Sequence, residues 1–206
     1  STYKFKHNPE LFQKIIQEKI KVNEIPEEKE EKYTKELTIS ESERYFYRDT
    51  NCEPYWYTFM VDSVHYYNSK ELFIEANEIL IDQLTLFKDE LPKLSSEEEN
   101  IFSLDINENT YHLTVEGFDD TIGNIIQSHI SLYVIDDDSI PSLCGYKKTH
   151  PLENTIEFYL TFNPNNKISQ SDNQKKLNAL IQTFQETCEN LIIIYSNIKK
   201  EAVLNL

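Results

Sequence analysis

Apolar residues recur at helical spacing in three long stretches of this chain. The first predicted helix begins at Asn8 or Pro9, the second covers 69–91 and ends before Pro92, and the third covers 174–204. We expect their apolar faces to cover a core or a partner. These faces comprise Leu11, Ile15, Ile16 and Ile20 in the first helix, Leu72, Phe73, Ala76, Leu80, Leu84, Phe87 and Leu91 in the second, and Leu177, Leu180, Ile181, Phe184, Cys188, Leu191, Tyr195, Ile198 and Ala202 in the third.

Alternating patterns predict strands between these helices. The clearest covers 110–116, and others are predicted over 55–64, 143–147 and 155–162. A further helix over 121–133 is capped by Asp119 or Asp120, with an inward face made of Ile122, Ile125, Ile126, His129, Ile130 and Tyr133. Together the elements predict an α+β fold, in which small antiparallel sheets accompany long amphipathic helices packed against each other.

Two charged stretches divide these elements. The acidic run 24–36 predicts a solvated loop or a frayed helix. The Ser- and Glu-rich stretch around 93–107 predicts a linker and a domain boundary. We therefore expect a helical or irregular segment over 1–50, a strand–helix unit over 51–92 and a separate C-terminal domain over 108–206.

The third long helix predicts a protein–protein interface. A helix of about 30 residues spans roughly 45 Å, which exceeds the width of a three-stranded sheet. Part of its apolar stripe must therefore find another surface, because an exposed stripe of this kind marks an interface. The C-terminal domain is accordingly predicted to be a dimerisation module.

The charge of the chain bears on its partners. The net charge is −16, and the acidic surplus is spread over both halves, with −9 in residues 1–100 and −7 in 101–206. Such a surface repels phosphate, so tracking along DNA or RNA is not expected. The aromatic strand 55–61 could be a base-stacking platform, but its lack of basic neighbours favours a buried position.

Three widely spaced cysteines, Cys52, Cys144 and Cys188, show no metal-ligand spacing and cannot all pair within one chain. They favour a reducing compartment, with Cys144 and Cys188 as small buried hydrophobes. The sequence also shows no signal-peptide pattern and no apolar run long enough to span a membrane. We therefore expect a soluble, intracellular protein.

No catalytic motif, metal site or cofactor motif is evident in the sequence. His150 precedes Pro151 and is expected to be a turn residue, and His129 is expected to lie in or beside a core. The acidic run 136–138 favours a solvated turn over a magnesium site, because Mg²⁺ requires converging carboxylates and phosphate. We expect neither a catalytic residue nor a cofactor.

Two of the three glycines lie in two short runs, 119–124 and 145–153. Each run places a glycine, Gly123 or Gly145, beside residues that need a fixed geometry, which is typical of a close-packed joint. We hypothesise that valine at either position blocks pairing with a partner without unfolding the domain.

These runs resemble one family. The order strand, Asp-Thr-Ile-Gly-Asn helix, Cys-Gly-Tyr strand, His-Pro-Leu-Glu turn, strand and long helix is similar to the small alpha-like subunit of cellular multisubunit RNA polymerases, the eleventh subunit of polymerase II or archaeal subunit L. The resemblance covers about residues 108–202, and the matching residues are Thr121, Gly123, Asn124, Gly145, Tyr146, His150, Pro151, Leu152 and Glu153. Asp120 and Ile122 replace the usual His and Leu.

The region before the predicted linker is similar to the larger alpha-like subunit, through the strand 57–64 and the helix 74–91. The chain thus resembles a fusion of both alpha-like subunits, as in some large DNA viruses of eukaryotes. Residues 1–50 would then come from the end of the larger subunit's insert region. The first half of that subunit has no counterpart here, so either this chain is a fragment or the missing strands come from elsewhere in the natural polypeptide.

The resemblance implies a non-catalytic assembly subunit of a DNA-directed RNA polymerase. The two alpha-like units would pair through their long helices and form the platform for the second-largest and then the largest subunit, with small platform subunits nearby and no direct contact to nucleic acid or membrane. Its location would be the virion or host cytoplasm if the protein is viral, and the nucleus otherwise. The implied interface residues are Thr121, Ile122, Gly123, Asn124, Gly145, Tyr146, His150, Pro151, Leu152, Leu177, Ile181, Phe184, Leu191, Tyr195, Phe73, Leu80, Leu84 and Phe87.

Three other functions remain open. The first is an acidic α+β dimerisation adaptor unrelated to transcription. The second is a small enzyme whose acidic groups meet only in the folded chain. The third is an acidic decoy that imitates phosphate to bind a nucleic-acid protein.

Overall fold

A computed structural model describes residues 1–64, 66–95, 101–107, 110–135, 141–161 and 173–205. The chain has an α+β fold, with two small antiparallel sheets and long helices packed together, as the sequence predicts. It divides into two compact units, Ser1–Ser69 and Lys70–Leu206. The acidic run 136–138, predicted to be a solvated turn, lies outside the described residues.

The first unit contains a pair of helices. α1 (Pro9–Val22) begins where predicted, since the side chain of Asn8 accepts a hydrogen bond from the backbone N–H of Leu11 at 3.1 Å. The acidic run forms a regular helix, α2 (Glu27–Glu41), whose first-turn glutamates complement the helix dipole. A small core joins the two helices, built from Phe12, Ile16 and Leu37.

The first unit also carries a two-stranded antiparallel sheet. β1 (Thr2–Phe5) was not predicted, and β2 (Tyr57–Met60) is shorter than the predicted strand 55–64. All eight residues are exposed, so the expectation that this aromatic strand is buried is wrong. The pairing joins residues more than fifty positions apart, which local sequence patterns do not reveal.

The second unit is built on a four-stranded antiparallel sheet with the order β3-β4-β6-β5. Its strands are β3 (Phe102–Asn107), β4 (Thr110–Glu116), β5 (Leu143–Lys148) and β6 (Thr155–Thr161). β4 presents Tyr111, Leu113 and Val115 to the core with no exposed surface, which confirms the predicted alternation.

β3 corrects one prediction, because it lies within the segment predicted to be a linker. Phe102 pairs with Val115 and Leu104 pairs with Leu113, and Phe102 is buried. The alternation of Phe102, Leu104 and Ile106 was present in the sequence. The predicted linker extended too far because the run before β3 is rich in Ser and Glu.

Three helices complete the second unit. α3 (Ser69–Glu90) and α5 (Asn173–Asn205) lie close to their predicted bounds, and α4 (Asp120–His129) is capped by Asp119, whose carboxylate accepts from the N–H of Thr121. A π-helical turn, Ile130–Val134, continues α4. This turn changes the helical phase, so Tyr133, predicted to face inward, is 75 % exposed.

The position of α3 differs from the predicted domain division. The second unit begins at Lys70, so α3 belongs with the sheet and α5, whereas the sequence placed it with 51–92. The reason is packing, because Leu84, Phe87 and Leu91 share one hydrophobic core with the strands. Within the described residues, no helix has the length and apolar character needed to cross a membrane.

Candidate functional site

The candidate site is the contact between α3 and α5. Three polar contacts join them: Lys70 Nζ donates to the carbonyl of Val203 at 3.0 Å, Lys199 pairs with Glu78 at 2.5 Å, and Lys88 pairs with Glu189 at 3.7 Å. Positions along α5 decrease as positions along α3 increase. The two helices therefore run antiparallel, and α3 covers part of the long apolar stripe of α5.

One end of this contact, beside Lys88 and Glu189, is aromatic. Phe87 on α3 has no exposed surface and packs against Phe184 on α5, with ring centroids 5.8 Å apart. Both rings also contact Phe158 of β6, at 6.2 and 5.3 Å. The contact between the helices is thus continuous with the core under the sheet, and α3 cannot separate from α5 without opening that core.

Most of the predicted helix residues lie in this contact or the adjoining core. Leu84, Phe87, Ile181, Phe184 and Leu191 are buried, and Leu80, Leu177 and Tyr195 pack partly buried against the same cluster. Phe73 is half-buried and lies outside that cluster. Burial raises the pKa of the Tyr195 hydroxyl, so this group stays neutral at ordinary pH.

The two glycine-containing runs meet at one point. A Cβ atom added at Gly123 would lie 2.7 Å from Cδ2 of Tyr146, so the ring of Tyr146 occupies the space that a side chain at 123 would need. Ile122 beside it is fully buried, whereas Thr121 and Asn124 are exposed. The predicted close-packed joint is therefore present at Gly123, between α4 and β5.

Gly145 does not have the predicted role within this chain. A Cβ there would meet no atom of the described residues within 4 Å. The turn that follows is likewise outside the core: His150, Pro151 and Leu152 are exposed, with Leu152 at 88 %. His150 is a turn residue as expected, because its Nδ1 accepts from the N–H of Leu152 at 3.2 Å.

Some apolar surface on the helices stays uncovered. On α5, Ile193 and Ile194 are 58 % and 44 % exposed, and on α3, Ile79 and Leu86 are 51 % and 54 % exposed. Near the end of α5 a shallow groove of about 550 Å³ is lined by Ile81, Ser196, Lys199, Lys200, Val203 and Leu204. A partner could bind against these exposed residues while α3 and α5 remain paired.

A polar cluster on the outer face of the sheet was missed by the sequence analysis. The carboxylate of Glu157 accepts from Thr149 Oγ1 at 2.5 Å and Tyr159 Oη at 2.5 Å, and contacts Lys147 Nζ at 3.2 Å and His112 Nε2 at 3.0 Å. The hydrogen bonds from Thr149 and Tyr159 are the main cause of its lowered pKa, which falls to about 2. The carboxylate is a poor base and ties three strands together, so its evident role is structural.

Within the described ranges, no group of three or more His, Cys, Asp or Glu side chains could hold a metal ion. His129 is buried on α4 as expected, 5.1 Å from the ring of Tyr133, and its Nδ1 has no hydrogen-bond partner among the described residues. Burial lowers the pKa of this imidazole, which favours its neutral form.

Comparisons with protein-family models and with curated proteins give no match for this chain.

Proposed function

We propose that this chain is a non-catalytic assembly subunit of a DNA-directed RNA polymerase. In this proposal its two alpha-like parts pair through α3 and α5 and form the platform on which the second-largest and then the largest subunit assemble. The virion or host cytoplasm would be its location if the protein is viral, and the nucleus otherwise.

The observation that carries the proposal is the antiparallel pairing of α3 with α5 around Phe87 and Phe184. The family resemblance implies such a pairing between two alpha-like units, and here both helices belong to one chain. The contact of Gly123 with Tyr146 supports the proposal further, because it joins the two motifs on which the resemblance rests.

The exposed apolar residues Ile79, Leu86, Ile193 and Ile194 provide a candidate surface for the larger subunits. Single exposed hydrophobic residues are common, but here four lie on two adjacent helices. In the proposal a larger subunit covers them, since pairing of α3 with α5 leaves them in contact with solvent.

Affinity capture of the tagged chain from its native source, followed by mass spectrometry, tests the proposal. The expected result is recovery of the two largest polymerase subunits with the chain. Recovery of a different, smaller acidic or basic partner would favour a dimerisation adaptor unrelated to transcription.

Two double variants of α5 test whether the larger subunits bind at the exposed isoleucines. Ile193→Asp with Ile194→Asp places charge on the proposed contact surface, whereas Gln182→Asp with Asn190→Asp changes exposed polar positions on the same helix. We expect the first pair to lose the large subunits and the second to retain them, while circular dichroism shows both folded. Equal recovery of the large subunits by both double variants would exclude this surface as their contact site.

A further inference from the structure

A second interaction surface lies in the first unit. We define the aromatic ribbon as β1, β2 and the segment 46–48, which bonds to the residues just after β1, where the N–H of Tyr47 donates to the carbonyl of Lys6 at 3.1 Å. Its residues belong to neither hydrophobic core cluster of the described chain. A two-stranded sheet alone in water is marginally stable, so a ribbon of this kind needs a covering element.

One face of the ribbon is almost entirely aromatic. Tyr3 lies opposite Phe59 and Phe5 lies opposite Tyr57, with ring centroids 6.1 and 5.4 Å apart, and Phe46 stacks on Phe5 at 4.7 Å. The four rings of β1 and β2 are 39–66 % exposed. At about 200 Å² per ring they leave roughly 400 Å² of aromatic surface in water, a patch of the size that marks interaction sites.

The outer edge of β2 can accept another strand. The N–H of Lys6 donates to the carbonyl of Trp56 at 2.8 Å, which sets the phase of the ladder with β1. By the antiparallel alternation, Tyr57 and Phe59 therefore direct their N–H and C=O groups away from β1. β2 carries no charged residue and no proline, the features that usually protect an open edge from strand addition.

Unpaired cations surround the ribbon. Lys4, Lys6 and Arg48 form no ion pair with any described residue, and residues 2–6, 46–48 and 56–60 contain no acidic side chain. Lys6 Nζ lies 5.8 Å from the centroid of the Trp56 ring, and the Arg48 guanidinium lies 4.2 Å from that of Phe46. The charge of these segments themselves therefore complements an acidic partner.

We propose that the aromatic ribbon binds an extended acidic segment of a partner polypeptide, which adds to the outer edge of β2 as a further strand. Alternate apolar side chains of this segment pack on Tyr57 and Phe59. Its acidic side chains lie on the other face, where Lys4 reaches past its short cross-strand neighbour, Thr58. This inference does not depend on the polymerase proposal.

Two other occupants are less suited to the ribbon. A second copy is less suited because about 400 Å² per partner is only half of what a standard stable interface buries. Single-stranded nucleic acid would meet the same aromatic rings and cations, but it has no peptide groups to pair with the open edge of β2.

Trp56 gives a direct readout, because it is the only tryptophan of the chain and lies directly before β2. The purified chain is titrated with a synthetic hexapeptide of alternating glutamate and valine, with its lysine–valine counterpart, and with a short oligothymidylate. We expect a saturable change in tryptophan fluorescence with the glutamate peptide alone, and slower amide hydrogen exchange at Tyr57 and Phe59.

Two variants locate the binding, and a third is their control. Phe59→Pro removes an outward-facing N–H while leaving the donors of the β1 ladder, and it should abolish binding. Lys4→Glu with Lys6→Glu should raise the dissociation constant of the glutamate peptide about tenfold. Lys14→Glu with Lys21→Glu changes the net charge equally at exposed positions of α1 and should leave binding unchanged.

The proposal is overturned if the glutamate peptide gives no signal at millimolar concentration, if the lysine peptide binds as well, or if both charge-reversal pairs behave alike. Binding of oligothymidylate in place of the peptide would assign the ribbon to nucleic acid. A concentration-dependent dimer in sedimentation, abolished by Phe59→Pro, would assign it to a second copy. These assays use only the purified chain, so their failure leaves the polymerase capture experiment unaffected.

Discussion

The ring of Tyr146 packs directly on the backbone of Gly123, where an added Cβ would lie 2.7 Å from Cδ2 of the ring. The ring is held on its other side by the strand pairing that places Tyr146 opposite Phe158. The contact fixes the first turn of α4 on β5, and a larger residue at 123 must displace either the helix or the ring.

Gly123→Ala should therefore destabilise the chain by about 1–2 kcal/mol, because overpacking outweighs the better helix propensity of alanine. Gly145→Ala is the matched control and should change stability by less than about 0.5 kcal/mol, since in the described part of the chain nothing lies within 4 Å of its Cβ position. Urea unfolding measures the free energy of unfolding of both variants. Equal effects of the two substitutions would show that the Tyr146 contact does not matter.

A second variant tests the same contact from the other side. Tyr146→Leu removes the ring atoms that approach position 123, so it should reduce the cost of Gly123→Ala in a double-mutant cycle. Additive losses in the cycle would contradict a direct clash between these two residues.

Part of this joint was predictable from sequence. The helix start at Asp119 and the strands around it follow from local spacing, and the short glycine runs marked close packing. The difference between Gly123 and Gly145 was not predictable, because it depends on which neighbour the fold brings to each residue. Tyr133 was misplaced for a related reason, since a π-helical turn shifts the phase that regular spacing assumes.

Contacts between strands that lie far apart in the sequence were also not predictable. The pairing of β1 with β2 and the cluster around Glu157 each require the register of strands that lie far apart in the sequence. The side chains of His112, Glu157 and Tyr159 appear in the sequence as ordinary outward-facing residues. Only the register of β4, β5 and β6 shows that they meet at one carboxylate.

The packing of Phe87 gives a prediction about the helix contact. Phe87→Ala removes a fully buried ring that contacts Phe102, Phe118, Phe158 and Phe184, and it should cost about 3–5 kcal/mol of unfolding free energy. Leu86→Ala next to it is the control, because that side chain is 54 % exposed and should cost less than about 1 kcal/mol. Similar unfolding midpoints for the two variants would contradict the described contact between α3 and the core.

Glu157 gives a prediction about pH. Its pKa falls from the usual 4.5 to about 2, through hydrogen bonds from Thr149 and Tyr159, so its carboxylate is favoured in the folded chain. This stabilisation is complete above about pH 4.5 and is lost as the pH falls towards 2. Glu157→Gln should cost about 1–3 kcal/mol at pH 7, and the difference from the wild type should shrink on acidification. A difference that stays constant between pH 7 and pH 3 would contradict the ionised cluster.

The cysteines give a prediction about reactivity. Burial raises the pKa of Cys144 and of Cys188 to about 12, whereas Cys52 is exposed. Because the thiolate is the reactive form, iodoacetamide at neutral pH should modify Cys52 in the folded chain and leave the other two unmodified. Peptide mass spectrometry locates the adducts, with urea-unfolded chain as the control in which all three react. Rapid labelling of Cys144 or Cys188 before unfolding would show that the core opens.

The central claim, that the paired α3 and α5 form an assembly platform for a polymerase, has one most direct test. The tagged chain is captured from its native source, and the mass and composition of the intact complex are measured by native mass spectrometry. The account predicts one copy of this chain in a complex with the two largest polymerase subunits, lost when Ile193→Asp and Ile194→Asp are combined. Capture of the wild-type chain alone, or only with proteins unrelated to transcription, would contradict it.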